Sequence, residues 1–230
     1  MRALPLLQIE ERDGLVIVRD DLLPGGTKRR ILPAVLSGAA EFVYASPAYG
    51  FAQIALAYAC RDLGRQATIF TAQRKVMHPR TAEAARAGAK IVMIPVGYLS
   101  VVQARARAYA ALTGAELLPF GFKIPTFVEF LAALACGLPL NPAEVWTVAG
   151  SGTLTLALQR AWPEARFHAV KVGKEDINTG RATVHVAPER FEKDAREPPP
   201  FPSCSNYDAK AWRFLRRLAA PGALFWNVAA

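Results

Sequence analysis

Apolar and polar positions along the chain alternate between two periods. Short runs rich in β-branched and aromatic residues at 14–18, 41–45, 66–70, 90–95, 144–149, 167–172 and 223–228 read as strands. Shorter candidates lie at 116–120 and 182–186. Between them, apolar residues at three- and four-residue spacing predict helices over 31–40, 51–63, 79–87, 101–112, 126–136, 154–161 and 208–218. Gly64 and Gly88 stand where two of these helices would close. Strands alternating with helices across short connections predict an α/β fold with parallel sheets, and in such sheets ligands collect at the carboxyl ends of the strands. From Gly173 to Ser205 the pattern weakens, and Pro188 and Pro198-Pro199-Pro200 mark loops.

Composition narrows this picture. At 230 residues and 52% hydrophobic content the chain can bury a sizeable core, as one domain or as two lobes. No apolar run reaches the roughly 18 residues of a membrane helix, and the N-terminus shows no secretory signal, so the cytoplasm is the expected location. Cys60, Cys136 and Cys204 are odd in number, widely spaced and form no CxxC pair. That spacing suits a reducing compartment and argues against a disulfide framework or a zinc site. His78, His168 and His185 are scattered singly, so no metal is expected.

The formal charge of +9 adds more. Basic residues recur at Arg61/Arg65, Arg74/Lys75/Arg80, Arg105/Arg107, Lys171/Lys174 and Arg213/Arg216/Arg217, outside any helix-turn-helix, zinc-finger or RNP pattern. The charge fits either a basic enzyme with solvated arginines or one whose substrate is anionic or attached to nucleic acid.

Four segments carry candidate chemistry. In Asp20-Asp21-Leu22-Leu23-Pro24-Gly25-Gly26-Thr27-Lys28-Arg29-Arg30, a strand leads through a Pro-Gly-Gly turn to a lysine at a helix start. Lys28 could reach into a cleft there, and the alternative is a basic run on a solvated helix face. In Val148-Ala149-Gly150-Ser151-Gly152-Thr153-Leu154, a strand feeds a glycine-rich turn and a helix, so backbone N–H groups and the helix dipole converge on an anion. The alternative is a plain tight connection. Ser46-Pro47-Ala48-Tyr49-Gly50-Phe51-Ala52-Gln53 joins a strand to a helix, and Asn206-Tyr207-Asp208-Ala209-Lys210-Ala211 opens the last helix, where Asp208 could also serve only as an N-cap.

Together these segments resemble the fold type II pyridoxal-phosphate enzymes, the group of tryptophan synthase β, serine/threonine dehydratases and D-cysteine desulfhydrase. The resemblance implies pyridoxal 5'-phosphate as cofactor and Lys28 as its Schiff-base residue. Gly150, Ser151, Gly152 and Thr153 would contact the phosphate. Ser46 and Gln53 would bind substrate, with Tyr49 near the place of the family's asparagine and able to move a proton at Cα. Asp208 matches the residue facing the pyridine nitrogen, where most relatives carry a neutral hydroxyl or thiol. A carboxylate there would keep that nitrogen protonated and strengthen the ring as an electron sink.

The resemblance also implies two lobes, each with a mostly parallel sheet flanked by helices. Residues 1–45 and 121–230 would form a larger cofactor-binding lobe, shortened between Lys171 and Asn206, and 46–120 a smaller mobile lobe. Homodimers are common in the family.

The basic surface, the altered substrate loop and Asp208 favour, as a first expectation, a lyase that decarboxylates a glycyl-type group on thymine in phage DNA. Such an enzyme would work in the host cytoplasm. The alternatives are β-elimination or deamination of a free amino acid, and a non-catalytic DNA-binding or partner subunit.

Overall fold

A computed structural model describes residues 4–95, 97–174 and 176–230. The chain divides into two compact units. One holds Leu4 and Pro24–Phe122, the other Pro5–Leu23 and Lys123–Ala230. Each has its own sheet and core.

In the first unit, β3 (Glu41–Ala45), β4 (Gln66–Ala72), β5 (Lys90–Ile94) and β6 (Glu116–Leu117) form a sheet in the order β5-β4-β3-β6, with every pair parallel. The carboxyl ends of its strands therefore share one edge, and the loops after Ala45 and Ala72 leave from it. Val43, Ala45 and Phe70 pack on Val102, Ala106 and Ala110 of α4 (Leu99–Thr113). Helix α2 (Ala52–Asp62) is alanine-rich and almost entirely buried between α1 (Gly26–Val35), α3 (Pro79–Arg86) and β4. Small side chains let the helices approach closely: a Cβ on Gly25, just before α1, would lie 2.9 Å from the Ala55 Cα.

The second unit is built on six strands in the order β1-β2-β10-β7-β8-β9. These are β1 (Ile9–Arg12), β2 (Leu15–Arg19), β7 (Glu144–Ala149), β8 (Arg166–Lys171), β9 (Thr183–Val186) and β10 (Leu224–Asn227). Only β1 runs antiparallel to its neighbour. Strand β7 is buried throughout, and Trp146 and Val148 join Leu15, Ile17, Val170 and Phe225 in the core. The helices of this unit are α5 (Pro125–Cys136), α6 (Thr153–Ala161) and α7 (Trp212–Leu218).

Most predicted elements recur with ends shifted by one or two residues. The helix expected over 31–40 is α1 at Gly26–Val35, and the strand expected over 116–120 keeps only Glu116–Leu117 and gives way to a 3-10 turn at Phe120–Phe122. Two further differences stand out. Strand β1 is additional. It pairs with β2 across Asp13 and Gly14, both at positive φ (51° and 74°), as a two-residue hairpin turn requires. The helix expected over 208–218 breaks into a 3-10 turn, Asp208–Ala211, followed by α7. Among the described residues no helix is long and apolar enough to cross a membrane.

Candidate active site

Lys28 is the third residue of α1. The helix is entered through Gly25 and Gly26, both at positive φ (90° and 64°), a region that costs L-residues with a Cβ. Lys28 is half-buried between buried Thr27 and Arg29. Arg29 donates from Nη2 to Asp62 Oδ2 at 2.8 Å and from Nη1 to the Pro24 carbonyl at 3.1 Å, and its guanidinium lies 4.4 Å from the Tyr58 ring centroid. The basic run is therefore not a solvated face, because Arg29 clamps the helix start. In the second unit the preceding acidic pair is also spent on structure. Asp20 Oδ2 accepts from Trp226 Nε1 at 3.2 Å, and Asp21 pairs with Arg19 at 2.8 Å.

The 46–53 loop leaves the carboxyl end of β3 in the same unit as Lys28. Ser46 is buried, and its Oγ donates to the Pro47 carbonyl at 2.9 Å. Gln53 is fully buried; its Nε2 donates to the carbonyls of Ala48 at 2.9 Å and Gly50 at 3.1 Å. Both side chains thus fix the shape of the loop. Its conformation leaves the N–H groups of Ala48 and Tyr49 without an acceptor among the described residues. Backbone donors held in this way suit an incoming carboxylate. The Tyr49 ring is half-buried against His78, with centroids 4.4 Å apart, and under the Arg74 guanidinium at 5.0 Å.

In the second unit, β7 runs through Gly150-Ser151-Gly152 into α6. Gly152, at φ 79°, is the residue before the helix, and no side chain caps that end. Ser151 Oγ and Thr153 Oγ1 are 3.1 Å apart, and both residues are buried. Tyr207, to which the sequence pattern gives no role, reaches into this turn. Its hydroxyl accepts from Gly150 N–H at 2.9 Å and donates to the Val148 carbonyl at 3.2 Å. Burial is the main cause that pushes the Tyr207 hydroxyl far up from its usual range, with the Asp208 charge adding to it.

The N–H groups of Ser151 and Gly152 have no acceptor among the described residues. Asp208 is fully buried, and its Oδ2 accepts from Ala229 N–H at 3.1 Å. It lies inside the 3-10 turn, and its carboxylate ties the end of the β10 segment instead of capping a helix.

Comparison with solved structures turns this geometry into a fold assignment. The chain superposes on an ACC deaminase homologue with a TM-score of 0.79 at 14% identity, covering 94% of this chain and 84% of that one. The threonine deaminase of T.th. gives 0.68 at 14% identity, covering 94% and 86%. Diaminopropionate ammonia lyase of Escherichia coli gives 0.65 at 16% identity, covering 94% and 77%. The architecture is fold type II. No protein-family model matches the sequence, and no curated protein matches it. Within the fold type II frame, Lys28, Ser46, Tyr49 and Gln53 fall in one unit and Gly150, Ser151, Gly152, Thr153 and Asp208 in the other.

Two features escaped the sequence reading. The Arg74, His78 and Arg80 group around Tyr49 was visible only as charge in Arg74-Lys75-Val76-Met77-His78-Pro79-Arg80. His168 and His185, far apart in the sequence, meet on neighbouring strands with Nδ1 and Nε2 3.0 Å apart.

Proposed function

We propose that the chain is a pyridoxal-phosphate-dependent lyase acting at Cα of an amino acid, by β-elimination or deamination. The observation that carries this reading is the 150–153 turn. Its Ser151 and Gly152 N–H groups lie at the start of α6, lack acceptors among the described residues, and fit a phosphate. Pyridoxal phosphate, when bound, supplies an electron sink for the carbanion formed at Cα. Lys28 would hold the cofactor's aldehyde carbon and, once released, take or return the Cα proton, with Tyr49 as a second proton donor. The N–H groups of Ala48 and Tyr49 would orient the substrate carboxylate. Asp208, buried and fixed by Ala229, would hold a proton on the ring nitrogen, because an opposite charge in contact favours the protonated form.

Decarboxylation of a thymine-linked group in phage DNA is the first expectation of the sequence reading. Solved neighbours include proteins named as deaminases and an ammonia lyase, beside a synthase, and this favours the alternative, elimination from a free amino acid.

The test uses the full chain mixed with pyridoxal phosphate. Borohydride should fix the cofactor on the Lys28 peptide, seen by mass spectrometry. A panel of amino acids should then yield ammonia and a keto acid, and Lys28→Ala should do neither. Cofactor fixed only on other lysines, or turnover undiminished in Lys28→Ala, would refute the assignment.

A further inference from the structure

We propose that Arg74 and Tyr49 form an anion subsite, which takes a carboxylate or phosphate carried on the side chain of the substrate. Strands β3 and β4 are parallel neighbours in register at Ala45 and Phe70. Their carboxyl-end loops, 46–51 and 73–78, therefore leave from neighbouring strands on the ligand edge of the first unit's sheet, with β4 reaching two residues further than β3. The second loop folds onto the first. His78 packs on the Tyr49 ring at 4.4 Å, and Arg80 donates to the Tyr49 carbonyl while its guanidinium lies 3.9 Å from the Phe51 centroid. The Arg74 guanidinium then covers Tyr49 at 5.0 Å.

What distinguishes Arg74 is its unused edge. The other arginines stacked on aromatic rings all have a hydrogen-bond or ion-pair partner: Arg12 has Glu10, Arg29 and Arg61 share Asp62, Arg213 pairs with Glu189 at 3.9 Å, Arg80 has the Tyr49 carbonyl, and Arg181 has the carbonyls of Trp162, Pro163 and Ala165. Among the described residues, Arg74 alone of the stacked arginines has neither a hydrogen-bond acceptor nor an ion-pair partner. A guanidinium stacked on a ring keeps its in-plane donors outward, in the fork geometry that grips a carboxylate or phosphate bidentately.

The surroundings are cationic as well. Lys75 beside it is exposed and makes no ion pair among the described residues. His78 is held below the usual histidine range by burial first and then by Arg80 and Arg74, with no carboxylate opposing them. The Ala48 and Tyr49 N–H groups remain for the α-carboxylate, so an arginine one strand further along the sheet serves a second anionic group. Assigning that anion to a substrate rests on the lyase reading; anion binding at Arg74 does not.

The experiment titrates the full-length protein, without added cofactor and at low ionic strength, with succinate and separately with inorganic phosphate. The His78 ring is followed by NMR. At least one anion should shift the His78 signals saturably. A response to succinate alone marks a carboxylate side chain, and one to phosphate alone a phosphate ester. Arg74→Ala should weaken binding about tenfold or more, as loss of a charge-assisted bidentate contact implies. Arg74→Lys should fall between, since it keeps the charge without the fork. Arg74 is exposed, so both variants should unfold at the wild-type urea midpoint and still be fixed at Lys28 by borohydride. No shift of His78 with either anion, or equal affinity in Arg74→Ala, would overturn the subsite. Failure of Lys28 labelling with anion binding intact would overturn the lyase reading instead.

Discussion

Gly152 and Tyr207 show how much of the phosphate turn is decided by single atoms. A Cβ on Gly152 would stand 2.1 Å from the Asn178 carbonyl oxygen, and its φ of 79° is unfavourable for other L-residues. Gly152→Ala must therefore move backbone, and a loss of about 2 kcal/mol or more in urea unfolding is expected. Gly150 faces Tyr207 in the same way, with a Cβ 3.1 Å from the ring. Tyr207→Phe removes the acceptor of Gly150 N–H, and an unfolding cost of about 1–3 kcal/mol should follow. An unchanged urea midpoint would mean that water replaces the hydroxyl. The Gly-Ser-Gly pattern announces a turn in the sequence. Its partners Asn178 and Tyr207 lie far along the chain, so no local pattern could reveal why those glycines are needed. The Arg74 subsite was hidden for the same reason: a stretch of basic residues carries no sign of which one will stack on a ring.

The pairing of β8 with β9 gives its own prediction. It brings His168 and His185 into contact, and the Trp146 ring stacks on both at 4.2 and 5.0 Å. Burial is the chief cause that holds each imidazole below the ordinary value near 6.5, and the His168 charge adds to it for His185. Below that value the unfolded chain binds more protons than the folded one. The contribution of the pair is therefore complete above about pH 6.5 and is lost as the pH falls below it. Urea midpoints should drop between pH 7 and 5, and His185→Gln should flatten that slope. His78 sits lower than usual as well, so His78→Gln serves as the control for the other unit. Elements with a clear period were legible in the sequence. Strand β1 was not, because Ile9–Arg12 is mostly exposed and has no apolar alternation; only Asp13-Gly14 signalled its hairpin. The last helix broke where Asp208, Ala209, Lys210 and Ala211 are all buried, which the apolar spacing of 208–218 does not encode.

Across the whole molecule, the sheet of the second unit is assembled from distant parts of the sequence: β10 inserts between β2 and β7, pairing Leu224 with both Val16 and Val145. Alternating periods reveal strands and their parallel sense but not this order, which depends on contacts across some two hundred residues. The charge of +9 acts at the same scale. Retention on immobilised DNA should weaken steeply with salt, as counterion release requires, and retention unchanged by salt would point to contacts other than phosphate pairing. The bond between Asp208 and Ala229 links the segment that follows β10 to the buried turn at 208–211. In deuterated solvent, the Ala229 amide should therefore exchange on the timescale of the sheet interior and open only when the β10 region opens, although it sits beside the final residue of the sequence.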